Sequence, residues 1–568
     1  MDKTQITGSE ALLRTLIAEG VDTIFGYPGG QVIPLYDCLY DYSDRLKHVL
    51  VRHEQGATHA AQGYARVSGK TGVVLVTSGP GATNTITGIA DAMMDSTPIV
   101  VISGQVPSPL LGSDAFQEID VIGITQPITK WAYQIRKPEE IAWAVSRAFY
   151  IASTGRPGPV VIDFAKDAQT GTTDYLYEKV NHIRSYQPFP EMNQGSISAA
   201  ASLINGAKKP FALVGQGVIL SGAEKELLAF LEKADIPAAS TALGLSAMPT
   251  GYRLNKGMLG MHGNVGPNRK TNDCDVLIAI GMRFDDRVTG NLQAYARQAK
   301  IIHFDIDLSE IGKNVTVDVP VLGDAKETLA AVTHLLKPAS HTDWIDSFRT
   351  DEQEEYEKVI EKEIHPQGDR LQMGEVVRKV SDAANSDAVL VTDVGQNQMM
   401  GIRYFRYSRT RSVVTSGGLG TMGFGLPAAI GAKQGAPDRT VCLFTGDGGL
   451  QMTLQELGTI MQEKLNVKII VLNNHYLGMV RQWQELFFDK RYSATTMENP
   501  DFVAIARAYG IRSRLATTRR ELDEAIAEMF DSDDAYMLVA DVETHGMVYP
   551  MVPAGAPITH IIMERERK

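Results

Sequence analysis

Residues 440–474 read TVCLFTGDGGLQMTLQELGTIMQEKLNVKIIVLNN, and this stretch decides the fold of the chain. It begins with an apolar run at Thr440–Thr445 and closes with a second at Val467–Leu472, each of strand length. Between the runs, Thr453–Glu456 has the form of a capping box, which predicts a helix start. The apolar residues from that point recur at helical spacing: Leu454, Leu457 and Met461. The stretch therefore predicts a β-α-β unit of a parallel sheet.

Glycines and polar residues follow both predicted strands. Gly446-Asp447-Gly448-Gly449 comes after the first strand, and Asn473-Asn474 comes 24 residues later, after the second. Parallel strands place these groups at one edge of the sheet, where a carboxylate, an amide and backbone N–H groups suit a magnesium diphosphate. Glycine lets the backbone approach the phosphates closely. A Gly-Asp-Gly turn alone is more often a plain loop, but the paired asparagines favour a cofactor site.

Composition limits the classes of protein that the chain can belong to. Its 568 residues suit about three domains, and 44% hydrophobic with 21% charged residues is typical of a soluble globular protein. A net charge of −12 argues against a broad nucleic-acid or anionic-membrane surface. The cysteines Cys38, Cys274 and Cys442 form no Cys-x-x-Cys pair, which predicts buried thiols and no structural zinc. Without a signal-peptide pattern or an apolar run of about 18 residues, we expect a cytoplasmic protein with no membrane partner.

Alternating strand and helix patterns predict an α/β fold of three doubly wound parallel-sheet domains, at residues 1–180, 190–345 and 365–568. The strand candidates outside the opening stretch are His48–Val51, Gly72–Thr77, Pro98–Ser103, Val160–Phe164, Pro210–Val214, Val276–Ile280 and Lys300–Asp305. The charged run Asp351–Glu355 between the second and third domains is interpreted as a solvated helix face.

Glu54 follows a strand in the segment Arg52–Gly56, near a helix of small residues. A glutamate at a strand end is by itself usually a solvated charge. The carboxyl edge of a parallel sheet is, however, where α/β proteins bind ligands. The turn Thr77–Asn84 leads from a strand into a helix, as phosphate-binding turns and purely structural turns both do.

The paired motif of the opening stretch resembles the signature of the thiamine diphosphate enzyme family. The resemblance implies that Asp447, Asn474 and the backbone carbonyl of Tyr476 bind Mg²⁺. It implies a diphosphate site at Gly395, Gln396, Asn397, Gly446 and Gly448, although many relatives have histidine where Asn397 stands. Met422 would support the bent cofactor, with the Thr77–Asn84 turn framing its pyrimidine ring. Glu54 matches the glutamate whose hydrogen bond to that ring assists removal of the cofactor's C2 proton.

Within that family, the match narrows to the catalytic subunits of acetohydroxyacid synthases, also called acetolactate synthases. The motifs that resemble them are Gly26–Gly30, Asp114–Glu118, Gly257–Gly263, Arg283–Gly290 and Leu477–Trp483. These enzymes decarboxylate pyruvate and join the two-carbon unit to pyruvate or 2-ketobutyrate, the first common step of valine, leucine and isoleucine synthesis. The closest alternatives are a flavin pyruvate oxidase or simple decarboxylase on the same scaffold, and a non-catalytic cofactor-binding sensor.

The resemblance also implies the residues that handle the second ketoacid. Arg287 matches the arginine that binds the acceptor carboxylate, and Trp483 matches the tryptophan that contacts its alkyl group. One methylene in such a pocket is worth roughly 1–3 kcal/mol, which limits acceptor preference from this contact to about a hundredfold. Met261 and Val480 are further substrate-binding candidates. Further active-site candidates are Gly30, Phe116, Gln117 and Lys166.

The central domain resembles the FAD-binding domain of these enzymes. The implied contacts are Arg156, Gly215, Gly217, Met261, His262, Gly281, Arg283, Asp305 and Ile306. Gly215-Gln216-Gly217 stands where relatives often have three glycines. Because net carboligation transfers no electrons, the resemblance implies a structural flavin that is not reduced during turnover.

The resemblance implies partners as well. In this family the glutamate domain of one subunit faces the diphosphate domain of another, so a homodimer or tetramer is expected, with the active site at the interface. A separate small regulatory subunit is also expected, because the three predicted domains use up this chain.

Overall fold

The computed structural model describes residues 4–565. The strands of its first part are β1 (Thr4–Thr7), β2 (Thr23–Tyr27), β3 (Lys47–Leu50), β4 (Gly72–Val76), β5 (Ile99–Gln105), β6 (Trp131–Ile135), β7 (Val160–Ala165) and β8 (Thr172–Tyr175). The helices of the same part are α1 (Gly8–Ala18), α2 (Ile33–Tyr40), α3 (Glu54–Ser68), α4 (Pro80–Thr83), α5 (Ile86–Met94), α6 (Val121–Thr125), α7 (Ile141–Ser153) and α8 (Lys166–Thr170). Strands β2 to β7 form a parallel sheet, while β1 pairs antiparallel with β8.

The middle part of the chain forms a second six-stranded parallel sheet. Its strands are β9 (Pro210–Val214), β10 (Ala238–Ser240), β11 (Asn255–Met258), β12 (Val276–Ile280), β13 (Lys300–Asp305) and β14 (Val319–Leu322). Its helices are α9 (Gln194–Gly206), α10 (Gln216–Ser221), α11 (Glu224–Ala234), α12 (Val265–Thr271), α13 (Asp286–Thr289) and α14 (Ala325–Leu335). The connection to the last part contains α15 (Thr342–Asp346), α16 (Phe348–Glu355) and α17 (Glu361–Ile364), with a π-helical turn at Tyr356–Ile360.

A third six-stranded parallel sheet lies in the last part. Its strands are β15 (Val389–Thr392), β16 (Val413–Val414), β17 (Val441–Gly446), β18 (Val467–Asn473), β19 (Arg512–Ala516) and β20 (Tyr536–Asp541). Its helices are α18 (Met373–Ala383), α19 (Gln396–Tyr404), α20 (Gly425–Gly435), α21 (Asp447–Thr453), α22 (Leu457–Glu463), α23 (Gly478–Phe487), α24 (Phe502–Ala508) and α25 (Arg519–Phe530).

Strand order shows where each sheet has room for a ligand. The orders are β3-β2-β4-β5-β7-β6, β11-β10-β9-β12-β13-β14 and β16-β15-β17-β18-β20-β19. The winding direction reverses between β2 and β4, between β9 and β12, and between β15 and β17. In doubly wound sheets a crevice opens at such a reversal, outside the carboxyl ends of the strands. The predicted fold class of three doubly wound parallel-sheet domains is confirmed, and each sheet lies inside one predicted range, although the boundaries themselves stay a prediction.

The first and third sheets share a hydrophobic core through α3 and α20. A Cβ built on Gly431 would lie 1.7 Å from the carbonyl oxygen of Ala60, and one on Gly63 would lie 2.0 Å from that of Ala428. Only glycine allows the two helix backbones to approach this closely. This contact packs the two predicted thiamine domains of one chain directly against each other.

Two local predictions are wrong in part. A 3₁₀ turn at Leu454–Glu456 does begin after Thr453, but the Thr453 hydroxyl donates to the Gly423 carbonyl instead of capping that turn, and the first helix after β17 already begins at Asp447. Glu456 accepts instead from the backbone N–H of Arg52 at 3.0 Å, so the supposed capping box joins two domains.

The charged run Asp351–Glu355 is only partly a solvated face, because Glu352 and Gln353 are exposed whereas the first and last residues are buried. Glu355 is 2% exposed and pairs with the buried Arg403 of α19 at 2.6 Å. Asp351 is also buried and pairs with Arg269 of α12. Buried carboxylates need such partners, so this helix joins the second domain to the third.

Candidate active site

The predicted cation ligands meet at the carboxyl ends of β17 and β18. Gly446 of β17 is in register with Leu472 of β18, so Asp447 and Asn474 follow neighbouring strand ends. Asp447 is 1% exposed, and its two carboxylate oxygens accept from Gly448 N at 3.0 Å and from Asn499 Nδ2 at 2.7 Å. Asn474 is 3% exposed and accepts from the backbone N–H of Tyr476 at 3.2 Å. The structure therefore brings the three predicted ligand residues together.

Burial raises the pKa of the Asp447 carboxyl, and a cation beside it would offset the cost of keeping it charged. The described residues contain no group of three or more His, Cys, Asp or Glu side chains suited to a metal. A cation at this edge would therefore need the Asn474 amide, a backbone carbonyl and oxygens of the ligand itself. That donor set is the hard-oxygen set that Mg²⁺ prefers, so the residues fit the predicted ion.

The opposite side of this edge is formed by the turn after β15. Gly395 has φ +127°, and α19 begins at the next residue, Gln396, with no side chain capping its amide groups. Such a helix start attracts phosphate oxygens. Gln396 accepts from Asn474 Nδ2 at 3.1 Å, which joins the two sides. Asn397 donates to the Val394 carbonyl, and its buried Oδ1 has no partner among residues 4–565, an unmet polar atom that suits a ligand donor or a rotated amide.

Glycines keep the space beside Asp447 clear of side chains. A Cβ on Gly448 would lie 2.7 Å from Leu477 Cδ2 and 3.7 Å from Met422 Cε, and one on Gly446 would lie 3.2 Å from Asn397 Nδ2. The predicted diphosphate site is thus an edge of the sheet where the backbone is closely packed and where two side-chain amides and one carboxylate lie together. Asp393, directly after β15, is fully buried and accepts from the backbone N–H groups of Gly423 and Gly425, which fixes the turn next to Met422.

The amino-terminal candidates gather at the carboxyl edge of the first sheet. Glu54 is the first residue of α3 and accepts from Asn84 Nδ2 at 2.9 Å. Lys166 begins α8 after β7 and donates to the Gly30 carbonyl at 3.1 Å. A Cβ on Gly81 would lie 3.6 Å from Glu54 Oε1, so the turn Thr77–Asn84 approaches the carboxylate closely.

Phe116 and Gln117 lie on the loop between β5 and α6. Gln117 has φ +62°, and a Cβ on Gly79 would lie 2.9 Å from its carbonyl oxygen, so the loop packs on the Thr77–Asn84 turn. Glu118 accepts from the N–H groups of Gly112 and Ala115, which closes the loop on itself. Phe116 is 85% exposed. In the single chain this loop presents a large aromatic side chain to solvent.

A cavity of about 890 Å³ lies between the second and third domains, and residues of the first domain, among them Ser96 and Arg156, also line it. Its lining includes the candidates Arg156, Gly217, Met261, His262, Gly281, Arg283, Arg287, Asp305, Ile306, Gly395, Met422, Val480 and Trp483. Among the described residues that line it, none is Glu54, Gly30, Phe116, Gln117 or Lys166. The structure therefore joins the predicted flavin and acceptor residues in one cavity and leaves the amino-terminal set outside its lining.

The predicted flavin end of this cavity lies at the reversal between β9 and β12. Gly215 donates its N–H to the Ile280 carbonyl at 2.8 Å, and Gly217 donates to the Gly281 carbonyl at 3.0 Å. A Cβ on Gly215 would lie 2.0 Å from the Gly281 carbonyl oxygen. Gly217 and Gly281 line the cavity, whereas Gly215 does not. Gly215 packs closely against the backbone of Gly281, and its contact with the flavin stays a prediction.

Charged side chains at this end suit a dinucleotide. Arg283 lines the cavity and has no ion-pair partner within residues 4–565. Arg156 pairs with Glu310 at 2.6 Å and with Asp307 at 3.3 Å. Burial raises the pKa of Asp305 to about 7, and its carboxyl lies at a strand end, where a ribose or adenine edge is bound in such folds. A large cavity with a few converging polar groups is what a cofactor of this size requires, so the residues fit FAD.

His262 is buried, and burial lowers its pKa to about 4, so the imidazole is neutral at pH 7. Its Nδ1 lies 3.2 Å from the Pro550 carbonyl, and its own carbonyl accepts from Arg403 at 2.8 Å. These bonds fix the loop that carries Met261. The neutral ring presents a flat surface to the cavity.

The acceptor candidates line the same cavity from two elements. Arg287, on the short helix α13, is 58% exposed at its side chain and has only a 3.8 Å ion pair with Asp286. Its Nη1 lies 3.6 Å from the sulfur of Met261. Val480 and Trp483 lie three residues apart on α23, so both face the cavity. An exposed guanidinium and an apolar wall in one cavity are the arrangement that a small carboxylate with an alkyl group requires.

Sequence patterns assigned no role to two buried carboxylates, which lie at the C-terminal end of α5. Asp95 pairs with Arg66 at 2.7 Å and accepts from the N–H groups of Gly417 and Gly418 at 2.8 and 2.6 Å. Asp91 accepts from the hydroxyls of Ser416 and Thr421. These bonds cross from the first domain to the loop 416–421, which ends beside Met422. Two acidic residues four apart in an otherwise apolar helix were the available signal, because a charge there needs a buried partner.

Comparison with known proteins agrees with this geometry. Models of the thiamine pyrophosphate enzyme family match the chain in three places: the N-terminal TPP binding domain at residues 6–124, the central domain at 197–332 and the C-terminal TPP binding domain at 393–540. The chain is therefore a thiamine pyrophosphate enzyme.

Individual relatives narrow the class. The chain is 45% identical to the probable acetolactate synthase large subunit of Methanocaldococcus jannaschii, over 98% of this chain and 95% of that protein. It is 43% identical to the acetolactate synthase isozyme 2 large subunit of Escherichia coli, over 97% and 98%, and 42% identical to the acetolactate synthase large subunit of Lactococcus lactis, over 97% and 95%. The chain belongs to the family of acetolactate synthase large subunits.

None of the helices within residues 4–565 combines the length and the apolar character that crossing a bilayer requires. The three cysteines are free thiols, with Cys274 and Cys442 buried and Cys38 half-buried.

Proposed function

We propose that this enzyme decarboxylates pyruvate and transfers the resulting two-carbon unit to a second 2-ketoacid, either pyruvate or 2-ketobutyrate. The observation that carries the proposal is the shared cavity. Arg287, Val480 and Trp483 line it together with Gly395 and Met422 of the diphosphate-side turns. A carboxylate-binding arginine and an apolar wall beside a thiamine site are needed by a carboligase, whereas a decarboxylase or an oxidase has no second ketoacid to bind.

Asp447, Asn474 and the Tyr476 carbonyl are proposed to bind Mg²⁺, with Gly395, Gln396, Asn397, Gly446 and Gly448 around the diphosphate. When bound, thiamine diphosphate supplies the carbon nucleophile that attacks the ketoacid. The chain's own contribution is to orient the reactants and to exclude water from the site. Glu54 would hydrogen-bond the pyrimidine ring and assist proton transfer.

FAD is proposed to occupy the end of the cavity lined by Arg156, Gly217, Arg283 and Asp305, with Met261, His262, Gly281 and Ile306 as further contacts. Its role is structural, because the proposed reaction transfers no electrons. Absorbance at the flavin band should stay constant during anaerobic turnover of pyruvate. Bleaching at the turnover rate would contradict this role.

The active unit is proposed to be a homodimer, alone or within a tetramer, with each active site at the interface. The separation of the candidates supports this arrangement: Glu54, Gly30, Phe116, Gln117 and Lys166 gather at one sheet edge and are absent from the lining of the cavity. The exposed Phe116 lies among them. A second copy would bring its amino-terminal set to the diphosphate edge of the first.

A separate small regulatory subunit is a further proposed partner, since the relatives in the comparison are named large subunits. A cytoplasmic location and a place in branched-chain amino-acid synthesis stay predictions. Gel filtration of the enzyme with and without a co-expressed small subunit would test whether the two chains bind each other.

Product analysis tests the reaction. The purified enzyme is incubated with pyruvate, thiamine diphosphate, Mg²⁺ and FAD, and acetolactate, acetaldehyde and peroxide are separated. Acetolactate as the main product supports carboligation. Acetaldehyde as the main product would indicate a decarboxylase, and peroxide in amounts equal to pyruvate consumed would indicate an oxidase.

Subunit mixing tests the shared site. Glu54→Gln and Asp447→Asn chains should each be nearly inactive alone. In a mixed dimer, one site receives both substitutions and the other receives neither. Activity in the mixed sample should therefore reach about a quarter of wild type, the value for random pairing of equal amounts. If mixing restores no activity although mixed dimers form, each site is built within one chain.

A further inference from the structure

Asn499 contacts the predicted cation site from a part of the chain to which no role has been assigned. Its Nδ2 donates to Asp447 Oδ2 at 2.7 Å and to Asn473 Oδ1 at 2.9 Å. Its Oδ1 accepts from Gln451 Nε2 at 3.0 Å. Gln451 also donates to the Asp447 carbonyl at 3.1 Å. One half-buried amide therefore joins the end of β17, the end of β18 and the first helical turn after β17.

The residues just before Asn499 pair with the backbone around Tyr476, whose carbonyl is another predicted ligand. Leu477 donates its N–H to the Thr495 carbonyl at 2.8 Å, and Met497 donates to the His475 carbonyl at 2.9 Å. Tyr476 and Thr496 form an antiparallel bridge between these bonds. The backbone of Tyr476, whose carbonyl is the predicted third ligand, is thus fixed by pairing with residues 495–497.

We propose that residues 495–499 position two protein ligands of the Mg²⁺ site, Asp447 and the Tyr476 carbonyl, and that Asn499 is the positioning residue for Asp447. The inference rests on the proposed Mg²⁺ diphosphate site and adds the residues that orient its ligands. Asn499 itself does not ligate the ion, since both N–H groups of its amide are directed at protein oxygens and its oxygen accepts from Gln451.

The physical reason lies in the carboxylate torsion. The terminal torsion of aspartate is broad, so an unsupported carboxylate samples many orientations. In Asp447, Gly448 N–H holds one oxygen and Asn499 Nδ2 holds the other. Together they fix the carboxylate plane and leave the remaining lone pairs for the ion. Removing a hydrogen bond of this kind typically weakens metal binding by about 10- to 100-fold.

The test measures ion affinity apart from turnover. Wild-type holoenzyme and Asn499→Ala are stripped with a chelator and titrated with Mg²⁺ at fixed thiamine diphosphate, with tryptophan fluorescence reporting binding. The apparent Mg²⁺ dissociation constant should rise by about 10- to 100-fold. Titration with Mn²⁺, followed by its electron paramagnetic resonance signal, should give the same factor. Saturating Mg²⁺ should restore kcat, which a general structural defect would not allow.

A matched control and a milder variant complete the design. Asn272→Ala removes an equally half-buried amide with two hydrogen bonds, to Ala294 and Ala296 in the second domain, and should leave the Mg²⁺ constant unchanged. Gln451→Ala removes only the bonds that steady Asn499 and the Asp447 carbonyl, so it should raise the constant by a smaller factor. If Asn499→Ala fails to fold, Gln451→Ala still decides the question.

An unchanged Mg²⁺ constant in the folded Asn499→Ala enzyme, or a loss of kcat that Mg²⁺ does not restore, would overturn the inference. A wild-type enzyme that binds thiamine diphosphate equally well with the chelator present would reject the proposed Mg²⁺ site itself. The two failures are therefore distinguishable by the wild-type titration alone.

Discussion

Asn84 donates its side-chain amide to the carboxylate of Glu54 over 2.9 Å. The two residues come from different elements, since Glu54 begins α3 and Asn84 follows α4. The amide therefore fixes one carboxylate oxygen and leaves the other for a ligand. In the proposed enzyme this contact determines the orientation of the group that activates the cofactor.

Glu54→Gln should slow hydrogen–deuterium exchange at C2 of bound thiamine diphosphate by at least about a hundredfold, the usual contribution of a positioned acid or base. Asn84→Ala should slow the exchange by about tenfold or more, because a hydrogen bond to a charged carboxylate is worth roughly 1.5–3 kcal/mol. Quenched-flow proton NMR measures both rates. The exposed substitution Ser43→Ala, outside the Thr77–Asn84 turn, should have no effect. Normal exchange in Glu54→Gln would show that another residue activates the cofactor.

Trp483→Leu should reduce the preference for 2-ketobutyrate over pyruvate as acceptor. The indole supplies the apolar wall on α23, and one methylene against such a wall is worth roughly 1–3 kcal/mol. We expect the product ratio in a competition assay to fall by between about tenfold and a hundredfold. Phe488→Leu, at the exposed end of the same helix and outside the cavity lining, is the control. A constant ratio in Trp483→Leu would remove this residue from acceptor selection.

Asp163→Asn should change how stability depends on pH. Asp163 is fully buried on β7, with Gln134 and Gln105 donating to one oxygen, and burial raises its pKa to about 7. The folded state therefore holds a proton that the unfolded state has released between about pH 4 and 7, and wild-type stability falls as pH rises through this window. At about 1.4 kcal/mol per pH unit, the effect is a few kcal/mol at most.

The Asp163→Asn variant should lack this decline of stability with rising pH. The amount by which the free energy of unfolding of wild type exceeds that of the variant should therefore narrow or reverse toward pH 8. Urea denaturation at several pH values measures it. Asp44→Asn, at an exposed position, should leave the profile unchanged. Parallel profiles for wild type and Asp163→Asn would contradict the expected titration.

Gly431→Ala should destabilise the contact between the first and third domains. A Cβ at this position would lie 1.7 Å from the Ala60 carbonyl oxygen, so α3 and α20 must separate. Overpacking of this kind typically costs about 1–3 kcal/mol, and backbone contact favours the upper end. Thermal unfolding should show a lower midpoint. Gly206→Ala, the last residue of α9 with no heavy atom within 4 Å of its built Cβ, is the matched control and should be neutral or slightly stabilising.

Local sequence patterns predicted the central strands and the residues that follow their carboxyl ends. The bounds of β9, β12 and β13 agree with the prediction because each is a short, mainly apolar run. Asp447 and Asn474 were found for the same reason, since a strand end is a local feature of the sequence. The short strands β10 and β16 were missed, because three and two residues carry too little periodicity.

Features that depend on distant contacts could not be predicted. Glu355 looked solvated because its partner Arg403 is 48 residues away. Asn499 is 52 residues from Asp447 and lies in a polar segment with no periodicity. Thr453 and Glu456 matched a local capping pattern, but tertiary partners on other elements displaced it. Local energies of about 1 kcal/mol are readily overridden by such contacts.

The helix α5 fixes the distance between two regions that the reaction would use. It also fixes their relative rotation about the helix axis. Asn84, which supports Glu54, lies just before its first residue, and Asp91 and Asp95, which hold the loop 416–421, lie at its other end. Nine helical residues span about 14 Å. Each inserted or deleted residue would turn the two carboxylates by about 100° around the helix axis and away from the loop. Natural variants of this enzyme should therefore tolerate substitutions along α5 far better than any change in its length.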